Sequence, residues 1–326
     1  MAEANNVLCV LYLLYPSGKR YRKETPIRAL KNILSRLRSK YILIYINNAE
    51  EGTSVRKISD REYEIGGDNS FFEFSGWQKG IDFVKQNNIP CEAFLFVNDT
   101  FLESSFLHRQ LINQQSVECA IRHQALVGKK MFSSVSGTIM GNALDAYIRT
   151  HIFITSSRVI NSLKSIVSIN TQTVERFFVD RYQPGLALFK ENAPLSEEIK
   201  NFIFSHVTSV WRRKKTYDAE SFQLLRGKAA SILNSFLLSI RAKQWGYPLI
   251  SYGKVKFVLS QSMSLGQIKD LWSYSPADAG TVQSTSNNRF WLRKIPFYRH
   301  LPKKSSEFTL EDFENILDSY SKPTHL

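Results

Sequence analysis

The octapeptide FLFVNDTF, residues 94–101, runs from apolar and aromatic residues directly into an amide, a carboxylate and a hydroxyl: Asn98, Asp99 and Thr100. Asn and Asp often end strands, because their side chains hydrogen-bond the backbone just downstream. A carboxylate at such a tip can also hold Mg²⁺ or Mn²⁺, hard cations that take one or two protein carboxylates and complete their shells with phosphate oxygens and water. A cation so held would neutralise charge developing on a leaving pyrophosphate. The six histidines (108, 123, 151, 206, 300 and 325) lie far apart. His151, inside the apolar run YIRTHIFIT, falls on a predicted strand and is the second candidate metal ligand beside Asp99.

Several other chemistries are not signalled. The chain has no G-x-G-x-x-G after its first apolar run, no G-x-x-x-x-G-K-[ST], no H-E-x-x-H and no G-x-S-x-G. PSGKR, residues 16–20, is too short to wrap a triphosphate. Three cysteines (Cys9, Cys91, Cys119) show no paired spacing, which argues against a disulfide framework or zinc ribbon and fits a reducing cytoplasm.

The elements that must position Asp99 alternate in period. VLCVLYLLY (7–15) and YILIYI (41–46) read as buried strands, almost continuously apolar. Between them TPIRALKNILSRLR (25–38) reads as a helix, with Thr25 as N-cap, Pro26 at the first helical position and Ile27, Leu30, Ile33, Leu34 and Leu37 on one face. EYEI (62–65) predicts a short strand. SGWQKGIDFVKQNN (75–88) predicts a second helix capped by Ser75, and AFLFV is the next strand. This order predicts a mostly parallel sheet flanked by helices, with ligands bound where the carboxyl ends of its strands meet polar loops. The loops NNAEEG, GGDNS and NDT would gather on that edge.

Later segments differ. FSSVSGTIMGN (132–142) suits a loop or strand approaching a ligand, and YIRTHIFIT (147–155) reads as a strand. Beyond Pro194 the pattern is helical: Ile199, Ile203, Val207 and Val210 form one stripe. Asp218 could cap a long helix through Leu225, Ile232, Leu233, Phe236 and Ile240, and a last amphipathic helix is predicted over 309–320. The expected division is an α/β domain over 1–190 and a mainly helical, basic region over 191–326.

The formal net charge of +14 on 326 residues suggests a polyanionic partner. Basic residues crowd Lys19 to Lys40, WRRKK (211–215) and RFWLRKIPFYRHLPKK (289–304), where aromatics are interleaved. Such a mixture can grip single-stranded nucleic acid or sit at an anionic lipid surface. The longest apolar run is too short to span a bilayer and no Lys or Arg precedes it, so neither secretion nor membrane integration is expected.

The segment GDNSFFEFSGWQKGIDFV followed by FLFVNDTF resembles the GT-A glycosyltransferases that build bacterial O-antigen, capsule and rhamnan-type polysaccharides, and YIRTHIFITSSRVI is similar to a later strand of that group. The likeness covers roughly residues 5–180. It implies a GT-A-like domain that moves a sugar from a nucleoside-diphosphate donor to a lipid-linked glycan, in the cytoplasm at the inner face of the membrane. Asp99 would meet the metal–diphosphate with Asn98 and Thr100 beside it, and Asp68, Asn69 and Trp77 would lie near the nucleotide. The group's stronger form carries two carboxylates where NDT has one, so Mn²⁺ or Mg²⁺ would be weakly held or replaced by Lys or Arg, with Lys19, Arg20 and Arg22 as candidates. The resemblance also implies a general base past the second functional strand, for which Glu175 and Asp180 are the candidates and Asp145 an earlier one. Two other readings stand beside it: a nucleic-acid-binding protein driven by its charge, and a nucleotidyltransferase using the same acid.

Overall fold

The computed structural model describes residues 7–14, 24–52, 54–103, 112–132, 137–180, 188–211 and 219–260. Ten strands are present among them: β1 Val7–Leu14, β2 Lys40–Glu51, β3 Val55–Ser59, β4 Glu62–Gly67, β5 Ala93–Asn98, β6 Leu126–Phe132, β7 Thr138–Ile139, β8 Asn142–Ala143, β9 Ala146–Ser156 and β10 Leu249–Ser251. The helices are α1 Glu24–Leu34, α2 Glu73–Gln86, α3 Gln114–Arg122, α4 Ser157–Leu163, α5 Glu197–Trp211, α6 Ala219–Gln244 and α7 Val255–Ser260.

Eight strands form one sheet in the order β10-β6-β9-β5-β1-β2-β4-β3, and β7 and β8 make a separate hairpin. The strands β1, β2, β4, β5, β6 and β10 run the same way, while β9 and β3 oppose them. The α/β class and the mostly parallel sheet expected from the apolar runs are therefore present. Both faces of the sheet are covered, which is why its central strands are apolar throughout. From β1, Leu8, Val10 and Tyr12 face one core with α1, α3 and α7 residues. Cys9, Leu11 and Leu13 face the other, with Trp77 and Ile81 of α2 and Leu238 of α6. A third cluster joins Phe177, Phe178, Ile199, Ile203, Val207 and Phe236.

From the region expected to be mainly helical, α6 packs on the sheet, the backbone N–H of Ile148 donating to Ser239 Oγ at 3.0 Å, and β10 lengthens the sheet beside β6. Two expectations need correction. The loop after β2 is instead its continuation into the β3–β4 edge hairpin. Ser75 is not the cap of α2. The helix starts at Glu73, and Ser75 Oγ accepts from the Phe71 N–H at 3.0 Å and donates to the Asp68 carbonyl at 2.7 Å, tying the preceding loop to the first turn.

That tie holds α2 very close to β2. A Cβ on Gly76 would lie 2.4 Å from Leu13 Cδ1 and 2.6 Å from Asn48 Oδ1, and one on Gly67 would lie 2.8 Å from the Asn47 carbonyl. Only glycine fits at either position without moving backbone or side chain. The GGDN turn, which the sequence offers merely as a loop, is thus a packing device at the sheet's carboxyl edge. Among the described residues no helix is long and apolar enough to cross a membrane. The PSGKR loop, WRRKK beyond Trp211, Asp218, the RFWLRKIPFYRHLPKK segment and the helix expected over 309–320 lie outside the described residues.

Candidate functional site

Parallel pairing places Leu13 of β1 opposite Asn98 of β5, and Leu14 opposite Asn47 of β2. The tips of β1, β2, β4 and β5 consequently share one edge. The antiparallel β9 begins at that edge, because its last residue Ser156 pairs with Ala93, the first of β5.

Asn98 is buried, and Asp99 and Thr100 are half-buried at the start of a short 3₁₀ turn, Asp99–Glu103. Thr100 Oγ1 donates to Asn98 Oδ1 at 2.8 Å and lies 3.4 Å from His151 Nδ1. Asp99 acts on the other side of the strand, toward Tyr12. Burial first, then the Asp99 carboxylate and Tyr45, pushes the Tyr12 phenol well above its usual range. The Tyr12 hydroxyl is fully enclosed and has no hydrogen-bond partner among the described residues. The phenol therefore stays neutral, and its hydroxyl carries the cost of a buried polar group without a hydrogen bond.

His151 is held neutral. Burial above all, with Arg149, Lys228 and Lys129 adding to it against Glu73, pushes its pKa down to about 4. The sign of the resulting pH dependence is fixed. Unfolded, the imidazole takes up a proton near 6.5; folded, it does so only near 4. Stability is therefore complete above about pH 6.5 and falls as pH drops toward 4, by roughly 1–3 kcal/mol for a partly solvated ring. His151→Gln should flatten that acid limb in urea unfolding between pH 7 and 4.5. A variant as acid-sensitive as the parent would put the proton uptake on another group.

This environment does not favour His151 as a metal ligand. Its Nδ1 meets a hydroxyl, and three of the four charges acting on it are cations that would repel a metal. Among the described residues no group of three or more His, Cys, Asp and Glu could hold a metal ion. A divalent cation fits only through Asp99, with phosphate and water oxygens completing its shell.

The loop from β4 to α2 borders the same edge. Asp68 Oδ1 accepts from the Ser70 N–H at 2.8 Å and from Ser70 Oγ at 2.6 Å, and Asn69 Oδ1 accepts from Asn48 Nδ2 at 3.3 Å. Both side chains shape the loop through these bonds. Trp77 is corrected from a nucleotide neighbour to a core residue. Its ring is fully buried, edge-on to Phe74, Phe96 and Phe153, and its indole N–H donates to the Val97 carbonyl at 3.4 Å. It supports the strand that carries Asp99 and touches no open surface.

The candidate bases separate. Asp145 precedes β9 and is ion-paired with Lys243. Burial works upward on its carboxyl, but the Lys243 ammonium more than offsets this and leaves it below the usual carboxylate range, which makes a weak base. Asp180 is exposed, 3.8 Å from Lys190. Glu175 is exposed on the short turn Val174–Arg176. Neither has a described contact with Asn98 or Thr100.

Sequence reasoning missed Tyr12, Arg149, Lys129 and Lys228. Arg149 could have been found, since it stands two residues before His151 in YIRTHIFIT. Lys228 gave no local signal, because only the packing of α6 brings it to this edge. No protein-family model matches the chain, and no curated protein matches it.

Proposed function

We propose that the chain is a GT-A-type glycosyltransferase that carries a sugar from a nucleoside-diphosphate donor to a hydroxyl of a lipid-linked bacterial surface glycan, working as a peripheral protein on the cytoplasmic side of an anionic membrane. One observation carries the reading: the Asn98–Asp99–Thr100 tip lies at the carboxyl edge of a mostly parallel sheet, where open α/β sheets bind ligands, and it meets an antiparallel strand bearing Arg149 and His151. A mostly parallel sheet with an antiparallel strand, β9, inside it is compatible with the GT-A fold that the motifs resemble.

In this reading Asp99 is the residue that would hold a divalent cation, Mn²⁺ or Mg²⁺, which would help to neutralise charge on the departing diphosphate. Thr100 is oriented by Asn98, and the neutral His151 offers a hydrogen bond without adding charge. Tight loop packing around Asn48, Gly67 and Gly76 fixes the rim against which the nucleotide would lie. Glu175 is the favoured base for the acceptor hydroxyl, since Asp145 is engaged by Lys243 and Asp180 faces Lys190. The acceptor glycan and the membrane enter through the basic aromatic segment 289–304.

A thermal-shift panel of UDP-, GDP- and dTDP-sugars, with and without Mn²⁺, tests the proposal. The true donor should stabilise the fold by about 2.7 kcal/mol at a hundred times its Kd. Stabilisation by nucleoside triphosphates alone would favour nucleotidyl transfer. A response only to RNA or DNA, with a steep salt dependence, would favour nucleic-acid binding.

A further inference from the structure

The pairing of β6 with β9 breaks beside the acidic tip. Gly128 pairs with Phe153 and Lys130 with Ile148, so β6 advances two residues while β9 advances five. The surplus of β9, residues 149–152, leaves that ladder as a wide bulge, with Lys129 opposite it. Bulges at sheet rims re-aim side chains, and they concentrate next to active sites. On the other edge of β9 the ladder with β5 ends at Ile152, which pairs with Val97, so the bulge begins next to Asn98 and Thr100.

A third cation arrives from α6. Gly227 lies so close to Phe72 that a Cβ there would stand 2.5 Å from the ring, and this contact carries the neighbouring Lys228 Nζ over the same ring, 5.7 Å from its centroid. Phe72 itself has φ 53 and ψ −127, a conformation that side chains other than glycine's rarely adopt. Such backbone costs about 1–3 kcal/mol and persists where the surroundings demand it.

Arg149 and Lys129 thus lie on the two sides of the break in the β6–β9 ladder, and Lys228 comes from α6 over Phe72 at the start of α2. All three act on His151, and Arg149 also acts on Lys129. Burial, then Lys228 and Arg149, lowers His206 as well. Glu73 is the one acid among the charges on His151. None of the three cations makes an ion pair with a described residue, whereas Lys243, in the last turn of α6, is paired with Asp145 just before β9. Like charges gathered without ion-pair partners repel. An anion between them would reverse that cost.

We infer that the β9 bulge, with Arg149, Lys129 and Lys228, is a diphosphate-binding cradle, in which protein cations rather than a metal ion supply most of the neutralising charge. Arg149 offers a planar fork that matches two phosphate oxygens, and the two lysines act as point charges. Thr100 and the neutral His151 border the cradle with hydrogen-bonding groups. Identifying the diphosphate as that of a sugar-nucleotide donor rests on the function proposed above; the cradle itself does not.

Calorimetric titration of the full chain with inorganic pyrophosphate, in buffer containing EDTA, tests this. Binding is expected without metal, and R149Q/K228Q should weaken it at least about tenfold. R149K/K228R, which keeps both charges, should retain most of it, and K164Q/K254Q, two exposed lysines elsewhere, should retain all of it. R149Q alone, at an exposed position, gives the same readout at smaller amplitude should the double variant not fold. Equal affinity in folded R149Q/K228Q, or pyrophosphate binding that requires Mn²⁺, would overturn the cradle. The two proposals fail separately. Charge-dependent pyrophosphate binding with no response to any sugar nucleotide sinks the donor and leaves the cradle. Sugar-nucleotide binding that ignores R149Q/K228Q does the reverse.

Discussion

Asp99→Asn is expected to fold like the parent and to lose turnover by at least about a hundredfold, the scale of removing one preorganised charge stabiliser. The substitution keeps the shape of the side chain and removes its charge. It also leaves the strand ending intact: the bond that closes the turn runs from Thr100 Oγ1 to Asn98 Oδ1 at 2.8 Å, and Asn ends strands as readily as Asp does. Asn keeps the shape of the carboxylate, and its melting curve serves as the control for the fold. Folding and catalysis are thereby separated in one variant. The measurement is the rate of sugar transfer, or of donor hydrolysis without acceptor, set beside the melting curve. A rate within a few-fold of the parent's would return the acidic tip to the role of a turn.

The parts of this fold legible in the sequence are those governed by local periodicity. β1, β2, β5 and β9 are dense apolar runs, and α2 and α5 carry stripes at helical spacing, so their existence follows from burial on two faces or one. Strand direction does not follow. A buried strand reads the same whether parallel or antiparallel, and YIRTHIFIT gives no hint that it runs against β5 and β6. The three residues of β10 are too short for any pattern, yet they join a segment expected to be separate onto the same sheet. The acidic tip was visible because apolar residues give way to Asn98 and Asp99 at a strand end. Its electrostatic surroundings were not. Lys228 reaches His151 only through the contact of Gly227 with Phe72, a consequence of packing between α6 and the start of α2. The pairing of Asp145 with Lys243, which weakens Asp145 as a base, is of the same kind.

Trp77 shows how a residue correctly singled out can hold another role, and its substitution should have the largest effect on stability. The ring is the bulkiest fully buried side chain among the described residues, packed between α2 and the strands β5 and β9 against Phe74, Phe96 and Phe153. Trp77→Ala should destabilise by about 3–5 kcal/mol, from lost apolar burial and the cavity left in a close-packed interior. For a fold of this size that corresponds to a fall in Tm of roughly 10 °C or more. Trp77→Phe separates the ring from its polar handle. It keeps most of the volume but leaves the Val97 carbonyl without the indole N–H, which should cost about 1–3 kcal/mol. Val97 directly precedes Asn98, so both variants loosen the strand end that presents Asp99. The core assignment predicts that nucleotide binding by Trp77→Phe weakens no more than the site loosens, with Tm falling first. A ring that stacked on a nucleotide would give the opposite pattern: unchanged melting and a loss of about 1–3 kcal/mol in affinity, the cost of a base–aromatic stack. Melting curves and sugar-nucleotide titrations of the two variants therefore decide between support of the strand and contact with the ligand.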